Sequence, residues 1–136
     1  MKQITICGKN YDIDCNALAP LKYKSIFESG MINDIHGVQN YIIKQVIVTE
    51  QVEKEKISED EKVRKISEYM INDVDDFLIK VLQITWVLIY LADNKVDEFE
   101  KWASSIKVKV DDDWIAEVAE FAVDCFCWWR IIQRTR

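Results

Sequence analysis

The stretch Asn72–Ala92, NDVDDFLIKVLQITWVLIYLA, constrains the chain more than any other. Val74, Phe77, Leu78, Val81, Leu82, Thr85, Leu88 and Ala92 recur at helical spacing and make one stripe. Ile84, Trp86, Val87, Ile89, Tyr90 and Leu91 widen that stripe until the last turns are apolar almost all round. A helix of this kind either lies at the centre of a core or is covered by a second protein. Asn72 is placed to cap it, and Asp75 and Asp76 fall in the first turn, where the helix dipole favours negative charge. Its longest apolar run, Val81–Ala92, contains Gln83 and Thr85 and falls short of the roughly 20 residues a bilayer span needs.

What surrounds this helix is limited by length and composition. A chain of 136 residues is expected to be one domain, 1–136, long enough to bury a core. Only 3 Gly and 1 Pro are present, which disfavours a strand-rich fold with many tight turns. The net charge of −6 repels phosphate backbones, and lysines and arginines alternate with carboxylates rather than clustering. Nucleic acid is therefore not an expected partner. Met1–Cys7 is too short and too polar for a secretory leader, so a cytoplasmic protein that does not enter a membrane is expected.

The N-terminus reads as a β-hairpin over 3–14. A turn at Gly8-Lys9 would pair Cys7 with Asn10, Ile6 with Tyr11 and Ile4 with Ile13, which puts four apolar residues on one face. In that register Cys7 and Cys15 lie on opposite faces and roughly 10 Å or more apart. A disulfide needs Cα atoms within about 7 Å. Cys125 and Cys127, two apart in a helical pattern, diverge. Reduced cysteines, with no zinc set, are the expectation.

A helical body over 20–132 follows. Pro20 suits the first turn of a short helix over 21–28, closed by Gly30, with Leu21, Ile26 and Phe27 inward and Tyr23 at the margin. Ile32–Ile35 forms a second short segment that ends at Gly37. The run 41–49 is rich in β-branched residues, but Val38, Ile42, Val46 and Thr49 share a helical face and the polar QVEKEK that follows favours helix. Helix is expected. Ser58-Glu59-Asp60-Glu61 is a capping box opening a helix over 59–70. A further helix begins near Asn94 and runs to about Ser105 with Phe99, Trp102 and Ala103 inward, and 106–110 is either a short strand or an extended linker. Asp111-Asp112-Asp113 opens the last helix, where Trp114, Val118, Phe121, Ala122, Cys125 and Ile132 recur. The fold class is thus mainly α, a short hairpin followed by a bundle of about five to six helices around 72–92.

Catalytic patterns are missing. His36 is the only histidine, so neither a triad nor a histidine-rich metal site can be assembled. Glycine-rich phosphate loops and zinc-protease motifs are absent, and three adjacent aspartates diverge on a helix instead of converging on calcium. No enzyme, cofactor or metal is expected. The aromatic C-terminal part is the candidate surface instead: Trp114, Phe121, Phe126, Trp128 and Trp129 read either as core rim or as an exposed anchor for a partner. An exposed aromatic end would favour self-association, whereas a buried one would not require it.

Several segments together resemble a family. The opening ITICGKNYDIDCNAL, then LKYKSIFESG followed by NDI, is similar to tail assembly chaperones of long-tailed phages and prophages of clostridia-like Gram-positive bacteria. The IND.DDF helix with its LIY, a KW-containing helix and DDDWIAEVAEFAVDCF extend the likeness over most of the chain. This resemblance implies a non-enzymatic, mainly helical protein that binds the tape-measure protein and helps recruit tail-tube subunits. It also implies a place in the bacterial host cytoplasm and absence from the mature virion. A structural head–tail or tail component and a small acidic, antitoxin-like regulator are the alternatives.

Overall fold

A computed structural model of the chain describes residues 1–126. Two strands, β1 (Lys2–Ile6) and β2 (Lys9–Ile13), precede six helices: α1 (Leu18–Phe27), α2 (Met31–Glu53), α3 (Glu59–Met70), α4 (Val74–Ala92), α5 (Phe99–Ser104) and α6 (Asp113–Phe126). The chain is therefore mainly helical with an N-terminal antiparallel hairpin, as its sequence predicts.

The hairpin keeps the expected faces but not the expected register. Ile4 pairs with Tyr11, Ile6 with Lys9 and Lys2 with Ile13. The turn is Cys7-Gly8, not Gly8-Lys9, because both residues adopt positive φ, +52° and +78°. That combination matches the right-handed twist of the flanking strands, and glycine favours the second of the two positions. The register is displaced by two residues, an even number, so Ile4, Ile6 and Ile13 still point inward and are buried.

Helix α4 is the spine. It packs against α1, α2, α5, α6 and β2. From Ile84 to Ile89 every residue is buried. The polar members of this stretch are satisfied locally: Thr85 Oγ1 donates to the Val81 carbonyl at 2.6 Å, and Trp86 Nε1 donates to the Asp97 carbonyl at 2.9 Å. At the end of the hairpin the Asp14 amide donates to the Leu88 carbonyl at 3.1 Å, which ties β2 to the spine. Asp73, not Asn72, occupies the N-cap position, and its side chain makes no capping bond; Asp75 and Asp76 stand in the first turn.

Three boundaries differ from expectation. Helix α1 begins at Leu18 and ends at Glu28, which takes the left-handed conformation at φ 61° and donates its amide to the Lys24 carbonyl; Gly30 starts the next helix instead. The inward residues of α1 are Ala19 and Tyr23, while Leu21 and Ile26 are exposed. Gly37 does not end a short segment but lies inside the continuous α2, where the Lys80 side chain crosses so closely that a Cβ would sit 2.9 Å from its Nζ. The helix after Asn94 starts only at Phe99, since Asp93 Oδ1 first accepts from the Lys95 amide in a turn. Residues 106–109 form an extended connection without strand pairing, held at the hairpin tip where Cys7 Sγ donates to the Lys107 carbonyl at 3.3 Å. Helix α3 opens at Ser58, whose Oγ accepts from the Glu61 amide at 3.2 Å.

Candidate functional site

The aromatic residues singled out in the C-terminal part do not share one environment. Trp114 is 6% exposed and belongs to the core. Phe121 and Phe126 are half-buried and packed against that core. Trp128 and Trp129 lie outside the described residues. Trp114, Ile115, Val118 and Ala122 point inward and seat α6 against α2, α4 and β1.

One apolar surface that stands open is on α2, besides single exposed residues elsewhere and Leu18 and Leu21 on α1. This helix is apolar on two sides. Met31, Ile35, Val38, Tyr41, Val48 and Val52 face the core, and Tyr41 stacks on Phe77 with ring centroids 4.0 Å apart. Ile43, Val46 and Ile47, at i, i+3 and i+4, form a second strip that is 49%, 52% and 49% exposed. Val46, expected on the inward face with Val38 and Ile42, thus stands outside it. Beside this strip a groove of about 440 Å³ runs between α2 and α6, lined by Gln39, Ile42 and Ile43 on one wall and Ala116, Ala119, Glu120 and Val123 on the other. The small side chains of α6 keep that wall low. Beneath it, the slot between α2, α4 and α6 holds about 10 Å³, too little to admit anything much larger than one water. The core is closed, and the apolar surface that remains is outside it.

Charge around the groove is one-sided. In its described length α6 has Asp113, Glu117, Glu120 and Asp124 and no lysine or arginine. Lys44, the sole lysine on α2, is turned away and pairs with Asp73 at 2.8 Å. Glu117 and Glu120 form no ion pair with a cation among the described residues.

Two other openings are of similar volume. One, about 420 Å³, lies over Phe27, Trp86 and Phe99 with Glu98 and Glu100 at its edge. The other, also about 420 Å³, is a polar cleft between β2 and the 93–97 turn. Trp102 borders the polar cleft; its Nε1 has no hydrogen-bond partner among the described residues, and its ring meets Tyr11 edge-on at 6.4 Å.

The buried titratable groups form a tether rather than a reaction centre. Tyr23 Oη donates to Asp34 Oδ2 at 2.6 Å, Ser29 Oγ donates to the same oxygen at 2.7 Å, and Gln83 Oε1 lies 3.0 Å from the tyrosine oxygen. Burial and the adjoining Asp34 carboxylate push the Tyr23 hydroxyl far above its ordinary range. The arrangement joins α1, α2 and α4 and has no opening of its own, since Tyr23 is fully buried and Asp34 is 4% exposed. Asp75 and Asp76 are exposed, and Asp76 pairs with Lys80 at 2.7 Å. Among the described residues no group of three His, Cys, Asp or Glu side chains is placed to hold a metal.

The described cysteines, Cys7, Cys15 and Cys125, form no disulfide, and Cys127 lies outside the described residues. Cys7 is exposed in the turn, whereas Cys15 meets Cys125 of α6. Burial first, then the Cys125 thiol and Asp14, push the Cys15 thiol up to about 12. Nothing in the local spacing of either cysteine signals this meeting, because it depends on how α6 docks on the hairpin.

Scanned against protein-family models, curated proteins and solved structures, the chain matches none. No helix among the described residues is long and apolar enough to cross a membrane.

Proposed function

We propose that this chain is a non-enzymatic tail assembly chaperone of a long-tailed phage or prophage of Gram-positive bacteria. In this reading it acts in the host cytoplasm, binds the tape-measure protein, helps recruit tail-tube subunits and leaves no copy in the mature virion. The observation that carries the proposal is the outer strip of α2. Ile43, Val46 and Ile47 stay about half exposed on a body whose core is already closed. Apolar surface gathered on one helix face, rather than scattered singly, marks an interaction site. A long helical client with an apolar stripe is the kind of partner that a groove between two helices receives. Phe121, Phe126, Trp128 and Trp129 are the second contact set, and Trp114 serves from within by seating α6. Chain-to-chain contact through the same aromatic end is the route to any homo-oligomer.

Co-expression with the tape-measure protein encoded alongside is the test. The chaperone reading expects the client to move from the pellet to the soluble fraction and to copurify with this chain, while purified virions contain neither the chain nor a fragment of it. Unchanged client solubility defeats the proposal, and recovery of the chain from mature particles assigns it to the virion structure instead.

A further inference from the structure

We infer that the α2–α6 groove receives an amphipathic helix whose apolar stripe is flanked by lysine or arginine, and that a second copy of this chain is not its occupant. The inference rests on the chaperone reading only for the source of that helix; the groove and its charge are independent of it.

Shape selects a helix. Gln39 and Ile43 are one turn apart on the α2 wall, with Ile47 one turn further along the exposed strip, and Ala116, Ala119 and Val123 are about one turn apart on α6, so the two walls repeat at helical pitch. Alanines on one wall let a third backbone come close, near the 8–10 Å at which helices pack. A strand would instead require free backbone donors and acceptors along the groove, and those of α2 and α6 are used within their own helices.

Charge then selects among helices. Glu120 lines the α6 wall and Glu117 is exposed one turn before it on the same helix, both without cationic partners among the described residues, and Glu50 lies one turn beyond Val46 on α2. A second copy docked through this same groove would set these carboxylates against each other, on a chain already at −6. Like charges brought together at an interface oppose association, and opposite ones steer it. A helix with basic flanks meets both conditions, laying apolar residues on Ile43 and Ile47 and cations against Glu117 and Glu120.

Two synthetic helical peptides of about 20 residues, long enough to hold helical structure, provide the probe. They share one leucine stripe and differ only in flanking lysine or glutamate. The full chain is expected to bind the lysine-flanked peptide at least about tenfold more tightly, a gap that narrows as salt rises from about 0.1 M to about 1 M. Ile43→Asp with Ile47→Asp should abolish binding. Glu117→Lys with Glu120→Lys should invert the preference. Both pairs replace exposed or half-exposed side chains, and unchanged circular dichroism spectra show that the fold survives. Equal affinity for the two peptides, or binding indifferent to both double variants, overturns the inference. So does a photo-crosslinking side chain at Ile47 that captures a second copy, or residues 127–136 of the same chain, in preference to the peptide. If the lysine-flanked peptide binds but no tape-measure fragment does, the chaperone reading fails and the groove inference stands. If the tape-measure protein is kept soluble equally by the wild type and by both double variants, the chaperone reading stands and the groove inference fails.

Discussion

Two helices here are too apolar for a lone amphipathic element, and they end in opposite situations. On α4, the surplus surface is covered from every side: the hairpin, α1, α2, α5 and α6 all reach it, and Val87 and Leu88 are fully buried. On α2, the inner face is covered by α4 and α6, while Ile43, Val46 and Ile47 keep half their surface in water. A surplus of branched apolar residues does not separate these cases, since both stretches are rich in Ile and Val. Position does. The spine is buried because it has neighbours to spare, and a second apolar face on a peripheral helix stays open unless something outside the chain covers it. An excess of apolar residues on a helix thus counts faces, and topology decides which of them are free.

The contrast is broken most directly by truncating one residue from each helix. Leu88→Ala removes a fully buried side chain from the crowded end of α4 and should cost about 3 kcal/mol or more, the usual range for a leucine cavity in a core that relaxes only partly. Ile47→Ala should stay within about 0.5 kcal/mol, since a half-exposed residue loses little burial and alanine is the better helix former. Urea unfolding of both variants measures the gap. Comparable losses would mean that the outer strip of α2 is covered in solution, as α4 is.

A smaller effect tests what holds the two helices in register. Tyr23→Phe deletes the hydroxyl that reaches Asp34 and leaves that buried carboxylate with Ser29 alone, which should cost about 1.5–3 kcal/mol. Tyr69→Phe, on an exposed tyrosine of α3, should cost nothing measurable. The pH dependence carries a sign. Tyr23 is held above 10.0 and Cys15 is raised from 9.0 to about 12, each chiefly by burial, so the folded chain keeps protons that the unfolded chain releases. Stability should therefore be complete below about pH 9 and fall as the pH rises toward 12. In Tyr23→Phe the share of that fall that Tyr23 contributes from near pH 10 should disappear, leaving the share of Tyr41, which burial also raises above 10.0. A wild-type denaturation midpoint that is flat through this window would contradict the burial of both groups.

What the sequence disclosed, and what it withheld, follows the range of each interaction. The spine, the capping Ser58, the inward faces of Ile4, Ile6 and Ile13 and the all-helical body were legible, because each depends on residues within a turn or a hairpin of one another. The hairpin register slipped by two because alternation reports faces and cannot distinguish shifts of an even number; only the positive φ shared by Cys7 and Gly8 fixes the turn. Tyr23 was placed at a margin because its partners Asp34 and Gln83 come from α2 and α4, and a tyrosine becomes a core residue only where its hydroxyl is satisfied. The β-branched run 41–49, which pulled toward strand, was the sign of the candidate site. Its surplus of Ile and Val is what gives α2 two apolar faces. Cys15 and Cys125 meet through tertiary docking that no spacing encodes.

The smallest effect concerns the place where the Lys80 side chain of α4 lies over α2. Gly37 lies inside α2, and a Cβ there would meet Lys80 Nζ at 2.9 Å and its Cδ at 3.5 Å. The close contact is with the far end of a flexible side chain that is also held by Asp76 at 2.7 Å, so Lys80 can swing aside and lose only an ion pair whose carboxylate is largely exposed. Against that stands the gain from replacing glycine by alanine within a helix, up to about 1 kcal/mol. Gly37→Ala should therefore leave stability unchanged or raise it by roughly 0.5 kcal/mol, read as a small upward shift of the thermal midpoint. A clear loss would show that Lys80 is fixed over Gly37 and that the α2–α4 contact is rigid on its polar side as well as in the core. Peptide binding at the α2–α6 groove should not change in this variant, because Gly37 and Lys80 line a separate opening with Tyr41 and Asp73.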